Sequence, residues 1–350
     1  MINNTNNNSI DVMKFICAIL VVIIHAPPLL SYNETANFII VDIIARIAVP
    51  FFFVCAGYFF FNKIPIKNGR MERSNNFKPL TKYTGHLIRI YIFWTIFYLL
   101  WWVPLWYKGG NLTIANLKGY ILSIFISGSY FHLWYVVALV YGIIFTFLLL
   151  KYLKVKLIIV IAVVFYLIGT FQYSYNWVVK ENYFFDWFHN IYGLFGSISL
   201  GIFRAFPYLI MGLVFAKYRV KITIPISSIL SVLSLVMVGV EVWLLKTSGH
   251  SSRFSYVLLT GVTTFFIFNT VSQIKLKYNS VYPNLRRMSS IIYFVHPILI
   301  NVISVIYTYI FNYKDSAILF ITVSVFTILF SLGSIKLSQN KRFSRLNSIY

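Results

Sequence analysis

The chain of 350 residues is 59% hydrophobic and only 11% charged, a composition that excludes the soluble globular classes and indicates an integral membrane protein. Its formal net charge of +22 would in a soluble protein suggest a nucleic-acid partner. Here the Lys and Arg residues cluster in short connections between apolar segments, which is how membrane topology is encoded, so we predict no nucleic-acid partner.

Ten apolar segments are long enough to cross a bilayer core of about 30 Å, which requires roughly 20 residues of α-helix. In chain order these predicted spans are 11–30, 36–61, 87–107, 131–150, 157–175, 200–216, 224–245, 254–273, 289–311 and 316–336. We therefore predict an all-α integral membrane protein with about ten transmembrane helices. Its parts would be an N-terminal tail at 1–10, one transmembrane domain at 11–336 and a basic tail at 337–350.

The loop cations predict how these helices are oriented. One alternate set of connections holds 22 Lys or Arg when Lys14 is included, and the opposite set holds six. Because cytoplasmic loops carry the excess of Lys and Arg, we predict that both termini face the cytoplasm. Two long segments then lie outside: 108–130 includes an amphipathic stretch, and 176–199 is rich in the aromatic residues of an interfacial belt.

The first predicted span, which contains MKFICAILVVIIHA at 13–26, carries a lysine and a histidine eleven positions apart. Eleven helical residues advance about 16.5 Å and turn three times plus roughly 20°, so Lys14 and His25 share one face. With the N-terminus inside, Lys14 lies at the cytoplasmic edge and His25 in the outer half. Taken singly, Lys14 is typical of a snorkelling anchor and His25 of a histidine bonded to a backbone carbonyl.

The second span contains an intramembrane arginine, which is costly and usually marks a partner or a path. Arg46 follows Asp42 by four residues, so an ion pair within the helix is the simplest structural account. The helix runs back toward the cytoplasm, which places Arg46 at a depth near His25. Prolines end the first helix at 27–28, and Pro50 loosens the second. We predict that His25, Arg46 and Asp42 meet in one pocket.

Further polar residues lie at matching depths in other spans. His132 and Trp134 stand at the outer start of the fourth predicted span, where they are either interfacial or turned toward a substrate. Arg204 is buried near the outer end of the sixth span, just before Pro207. Several lone ionisable residues in separate spans are hard to explain by packing, so a shared polar cavity is the better interpretation.

The later spans add a carboxylate, a tyrosine and a histidine to this cavity. Glu241 lies in the seventh span without an obvious local partner, whereas Tyr293 and His296 lie toward the cytoplasmic half of the ninth. The two cysteines, Cys17 and Cys55, lie inside apolar stretches, where we interpret them as small core residues. Their positions predict neither a metal site nor a disulfide framework.

Together these segments resemble the acyltransferase 3 family of multi-spanning membrane acyltransferases, which modify sugars, lipids and cell-wall polymers. The family carries Arg-x10-His in its first helix, and this chain has that spacing with Lys14 in place of the arginine. The resemblance covers nearly the whole chain, and five motifs in order make a fairly specific signal. The other four are Arg-x-x-x-Pro-Phe-Phe-Phe…Gly-Tyr from Arg46 to Tyr58, His-Leu-Trp at 132–134, Pro-x-x-x-x-Gly at 207–212 and Ser…Tyr-x-x-His-Pro at 289–297.

Within the family, the chain resembles the membrane half of the serine racemases from vancomycin-resistance clusters. The resemblance rests on IDVMKFICAILVVIIHAPPL at 10–29 and RIAVPFFFVCAGYFF at 46–60. Those enzymes continue into a soluble, pyridoxal-dependent racemase domain. The printed sequence ends at Tyr350 without such a domain, so we expect no racemase chemistry from it.

The family resemblance implies acyl transfer from cytoplasmic acyl-CoA, with acetyl-CoA expected, to a hydroxyl of an envelope sugar, lipid or cell-wall component. His25 would act as general base or accept the acyl group itself, and Arg46 would stabilise the oxyanion or hold an anionic group. Lys14 would meet the CoA phosphates, helped by cations of 62–90. The acceptor or oxyanion pocket would comprise Arg204, His132, Trp134, Glu241, Tyr293 and His296.

The resemblance also implies a setting and partners. It implies a bacterial plasma membrane, acyl-CoA as co-substrate, no tightly bound cofactor and no metal. A peptidoglycan precursor is one expected acceptor, and a separate racemase or envelope enzyme is a possible partner. Two other functions stay open: a transporter for L-serine, in which Arg46 and Arg204 hold the carboxylate and His25 relays protons, and a scaffold or sensor for envelope enzymes.

Overall fold

The computed structural model describes residues 7–72, 77–175, 177–178, 197–218, 220, 222–249, 254–310, 315–348 and 350. Over these residues the chain is mainly helical, and each of the ten predicted spans contains a helix, which confirms the all-α prediction. Eight helical stretches among the described residues are long and apolar enough to cross a membrane. The count of ten spans and the cytoplasmic side of both termini remain predictions.

The helices among the described residues are numbered here in chain order. They are α1 (Asn8–His25), α2 (Glu34–Phe38), α3 (Ala48–Asn62), α4 (Lys78–Lys108), α5 (Ile114–Ile126), α6 (Trp134–Tyr152), α7 (Val155–Tyr173), α8 (Ser197–Lys217), α9 (Ile224–Thr247), α10 (Leu258–Gln273), α11 (Val281–Tyr309) and α12 (Ser316–Ser338). A 3-10 helix, Lys341–Ser348, follows α12. A small antiparallel hairpin pairs β1 (Ile66–Lys67) with β2 (Arg70–Met71) after α3.

The second predicted span is helical throughout its described middle part, but its backbone is not α-helical everywhere. A π-helical turn, Ile39–Ile44, and a 3-10 turn, Ala45–Ile47, separate α2 from α3. Pro50 lies in the first turn of α3, directly after these helical turns. Because Pro50 cannot bond the carbonyl of Arg46, the turns before it depart from α geometry. Asp42 and Arg46 therefore lie in non-α backbone, which is common at functional sites.

The chain forms two compact units, and the first is built from 1–55 and 218–348 together with residue 350. In this unit α1 packs along α11, α11 packs on α12, and α9 packs on α10. The π-helical and 3-10 turns of the second span pack against α1. Cys17 and Cys55 are both buried in this unit, which confirms their interpretation as core residues.

The second unit comprises 56–217 and residue 349. Here α6 packs on α8 and α4, and α7 packs on α8. One glycine sets the approach of α3 to α8: a Cβ at Gly57 would lie 2.3 Å from the backbone oxygen of Leu209. Only a residue without a side chain fits there, which gives a packing reason for the glycine in the Gly-Tyr motif. Most of the outer segment 176–199 lies outside the described residues.

Candidate active site

The buried stripe of α1 carries both residues that the sequence singled out. Its buried positions include Asp11, Cys17, Ala18, Val21 and Val22. At 100° per residue, Lys14 and His25 fall in the middle of this stripe, which confirms that they share one face. The helical rise separates them by about 16.5 Å, so one face of α1 carries the lysine near its start and the histidine at its end.

His25 stacks on a second histidine in the first unit. The rings of His25 and His296 have centroids 5.3 Å apart and planes inclined by 25°. His296 is fully buried on α11, and its Nδ1 lies 3.0 Å from the backbone oxygen of Ile292. Because a carbonyl oxygen only accepts, we assign the proton of the neutral ring to Nδ1, which leaves Nε2 as its acceptor nitrogen. The ring of Tyr293 is 6.3 Å from that of His296.

The prediction that His25 and His296 lie in opposite halves of the membrane is wrong, because the stacked rings are at one level. The reason is the start of the ninth span. Helix α11 begins at Val281, eight residues before the predicted start, so His296 lies in the middle of the helix. The polar first turns of α11 lower its local hydropathy without preventing helical hydrogen bonding.

The predicted ion pair of the second span is present. Arg46 Nη2 lies 2.6 Å from Asp42 Oδ1, and each side chain is 22% exposed. Arg46 Nε is buried and has no hydrogen-bond partner among the described residues. The 3-10 turn that carries Arg46, Ala45–Ile47, packs against α1, the helix that ends at His25. A guanidinium has five N–H donors, so Arg46 is able to bind an anionic group as well as Asp42.

A charged cluster lies at the other end of the same helices. The carboxylate of Asp11 is 2% exposed and lies 3.6 Å from Arg286 Nε of α11. Lys14 follows Asp11 by three residues in α1, so the two side chains lie on the same face of this helix. The sequence analysis did not assign Asp11 or Arg286. The sequence signal for Asp11 is its position three residues before Lys14, which puts both on one helical face. Arg286 is far away in the sequence, so its place beside Asp11 follows only from the pairing of α1 with α11.

Glu241 has a structural role that the sequence did not reveal. Its carboxylate oxygens accept hydrogen bonds from the backbone N–H groups of Leu258, at 2.6 Å, and Leu259, at 2.9 Å. These donors lie at the start of α10, where N–H groups lack helical partners and favour a negative charge. The sequence offered no obvious local partner for Glu241, and the partner in the structure is the backbone of the next helix. Whether Glu241 also contacts an acceptor remains a prediction.

The other predicted residues lie in the second unit. The guanidinium of Arg204 lies over the rings of Trp134, at 5.4 Å, and Tyr173, at 4.2 Å, which is cation–π geometry. His132 is 2% exposed and meets the ring of Tyr98 edge-on at 5.2 Å. Arg204 and Trp134 are thus brought together. Their membership of one cavity with His25 remains a prediction.

The family model for an acyltransferase domain matches residues 7–335. An amino-acid racemase of Enterococcus faecalis is 33% identical over 215 residues, which cover 61% of this chain and 28% of the relative. A second from that organism is 26% identical over 97% of this chain and 47% of the relative. A serine/alanine racemase of Enterococcus gallinarum is 26% identical over 75% of this chain and 36% of the relative. The chain spans less than half the length of these relatives, and no solved structure matches it.

Proposed function

Because the chain belongs to the acyltransferase 3 family, we propose that it transfers an acyl group from acyl-CoA to a hydroxyl of an envelope sugar, lipid or cell-wall component. Family membership and the apolar helices support a multi-pass membrane acyltransferase in general. Acetyl-CoA as donor, the acceptor class and the bacterial plasma membrane belong to the proposal. The observation that carries it is the stack of His25 on His296, with the turn that carries Arg46 packed against the helix of His25.

In the proposed reaction His25 removes the proton of the acceptor hydroxyl, and the hydroxyl oxygen attacks the thioester carbonyl carbon. The tetrahedral oxyanion then collapses, the carbon–sulfur bond breaks, and the thiolate takes the proton from His25. The products are an acyl ester and free CoA. Alternatively, His25 attacks the thioester itself and passes the acyl group to the hydroxyl in a second step, with the same products.

The neighbours of His25 have distinct proposed roles. Arg46 stabilises the oxyanion, since a fixed cation in a site with little water acts strongly on developing charge. Asp42 holds the Arg46 guanidinium by their ion pair at 2.6 Å. His296 supports the His25 ring through the stack, and its own bond to Ile292 limits its rotation. His296 is therefore a positioning residue in this mechanism.

Lys14 is proposed to bind the phosphates of the donor. We expect Lys14→Ala to raise the KM for acetyl-CoA about tenfold, which corresponds to about 1.4 kcal/mol, with kcat little changed. We expect Lys14→Arg to lower KM, because a guanidinium binds phosphate with two parallel hydrogen bonds. Steady-state kinetics on purified protein measure both. The control is Lys156→Ala, an exposed cation on α7, and an unchanged KM for Lys14→Ala would contradict the role.

The direct test of the function uses protein purified into lipid nanodiscs with radiolabelled acetyl-CoA. An extract of bacterial envelope supplies acceptors. We expect release of free CoA thiol together with base-labile label in a glycan or lipid fraction. If correctly folded protein releases no thiol and transfers no label, the proposed function is wrong.

A serine transporter is the second candidate. One observation favours it: the matched relatives are racemases, and one is a serine/alanine racemase. Arg46 would hold the serine carboxylate through donors that Asp42 does not occupy, and His25 would relay protons. In this case sealed proteoliposomes should accumulate labelled L-serine without any acyl-CoA. Absence of uptake by folded protein would exclude this candidate.

A further inference from the structure

A cleft with a volume of about 450 Å³ opens at the surface of the second unit, between the end of α4 and helix α5. Its lining comprises Trp106, Asn111, Ala115, Asn116, Gly119, Tyr120 and Ser123. The proposed function uses none of these residues. The volume is within the range of small-molecule sites, which is about 300 to 1,000 Å³. The cation distribution predicts that this end of α4 faces outward.

Helix α5 has one apolar face and one polar face, and these indicate which side of the helix the cleft lies on relative to the membrane. One face carries an exposed apolar stripe, and the opposite face carries the cleft residues. The stripe consists of Ile114, Leu117, Ile121, Leu122 and Phe125. With 13 residues, α5 is too short to cross a bilayer core, so its amphipathic pattern places it at the membrane–water interface. The cleft face is then turned away from the lipid.

Two aromatic rings form the walls of the cleft. Trp106 and Tyr120 have ring centroids 5.3 Å apart, with planes inclined by 87°, so they meet at a corner. Burial raises the pKa of the Tyr120 hydroxyl, so this hydroxyl is protonated and neutral near pH 7. The indole and the phenol ring offer faces that suit the C–H surface of a ligand.

The polar part of the cleft is made of neutral groups. Asn116 Nδ2 donates to the backbone oxygen of Asn111 at 2.7 Å, which fixes that amide. The Asn111 side chain makes no hydrogen bond to a described residue. Among the described residues that line the cleft none is charged, and Lys118 lies on the apolar face of α5. A Cβ built at Gly119 meets nothing within 4 Å, so the floor of the cleft is open.

We propose that this cleft binds a neutral sugar ring. Amide groups both donate and accept, as sugar hydroxyls do, and aromatic walls cover the apolar face of a pyranose. The described lining residues are neutral, so they give no charge-assisted hydrogen bond to a phosphate or carboxylate ligand. The sugar is either the headgroup of a lipid or a free saccharide. No bond is made or broken at this site, so binding does not require acyl transfer.

The test measures binding to the full chain in phosphatidylcholine nanodiscs by saturation-transfer NMR. Maltose and N,N′-diacetylchitobiose are the free probes, and monogalactosyldiacylglycerol in the nanodisc competes as the lipid probe. We expect saturable binding that Trp106→Ala and Gly119→Leu each weaken about tenfold or more. Gly119→Leu is the stronger variant, because leucine favours the helix over glycine and fills the open floor.

Matched controls separate the cleft from general effects. Tyr107→Ala removes an exposed aromatic beside the cleft, and Gly85→Leu adds a leucine at another open helical glycine, so both should bind normally. Competition by the galactolipid identifies a headgroup, and its absence identifies a free saccharide. Lack of saturable binding by folded wild-type protein, or equal losses in lining and control variants, would overturn the proposal. Saturable sugar binding by the His25→Ala variant would show that the cleft does not depend on the proposed catalytic base. The sugar proposal can therefore hold even if the acyltransferase proposal fails.

Discussion

Replacing His25 with alanine is expected to lower the rate of acyl transfer from acetyl-CoA by about 10² to 10⁴-fold. The variant lacks either the base that deprotonates the acceptor hydroxyl or the nucleophile that carries the acyl group. The ring of His25 is partly buried and stacks on His296, so its loss removes one aromatic contact and leaves the helix intact. The measurement is CoA thiol release by purified variants in nanodiscs.

The control for this variant is His86→Ala, which removes a histidine of α4 outside the proposed site. It should transfer acyl groups at the wild-type rate. Melting temperatures of both variants show whether folding is retained. Full transfer activity in a folded His25→Ala protein would exclude both roles proposed for His25.

Replacing Arg46 is expected to have the second largest effect. Loss of its charge removes stabilisation of the oxyanion, so kcat for Arg46→Ala should fall about 10² to 10³-fold while KM changes little. Arg46→Ala also leaves the partly buried Asp42 carboxylate without its ion pair, which destabilises the fold. Steady-state kinetics and thermal unfolding measure the two effects separately.

A double variant separates chemistry from folding at this pair. Arg46→Ala with Asp42→Ala removes both charges, so stability should recover relative to Arg46→Ala alone while activity stays low. Arg46→Lys keeps the charge but loses the planar donor fork, and intermediate activity is expected. A double variant that turns over at the wild-type kcat would show that neither residue takes part in the chemistry.

The parts of the site that the sequence predicted depend on local geometry. The shared face of Lys14 and His25 follows from helical periodicity within α1, and the ion pair of Arg46 with Asp42 follows from their spacing of four. The helix at 114–126 was likewise detectable as an amphipathic stretch. In each case the relevant partners lie within a few turns of one another, so tertiary packing is not needed to infer them.

The parts that the sequence missed depend on packing between distant segments. The position of His296 along its helix depends on where α11 begins. The polar residues at 281–288 lower the mean hydropathy there, so a hydropathy profile does not detect that start. The bonds of Glu241 to the start of α10 and the position of Arg204 over Tyr173 join separate helices. Spacing along one chain does not encode such contacts, because helix pairing is decided by shape and burial of whole faces.

The most direct test of the central claim is mass spectrometry of envelope glycans and lipids from cells that produce the intact chain or its His25→Ala variant at equal levels. The account predicts an acyl ester on at least one glycan or lipid with the intact chain and its loss with the variant. Identical acyl ester profiles in the two strains would contradict an acyltransferase that works through His25.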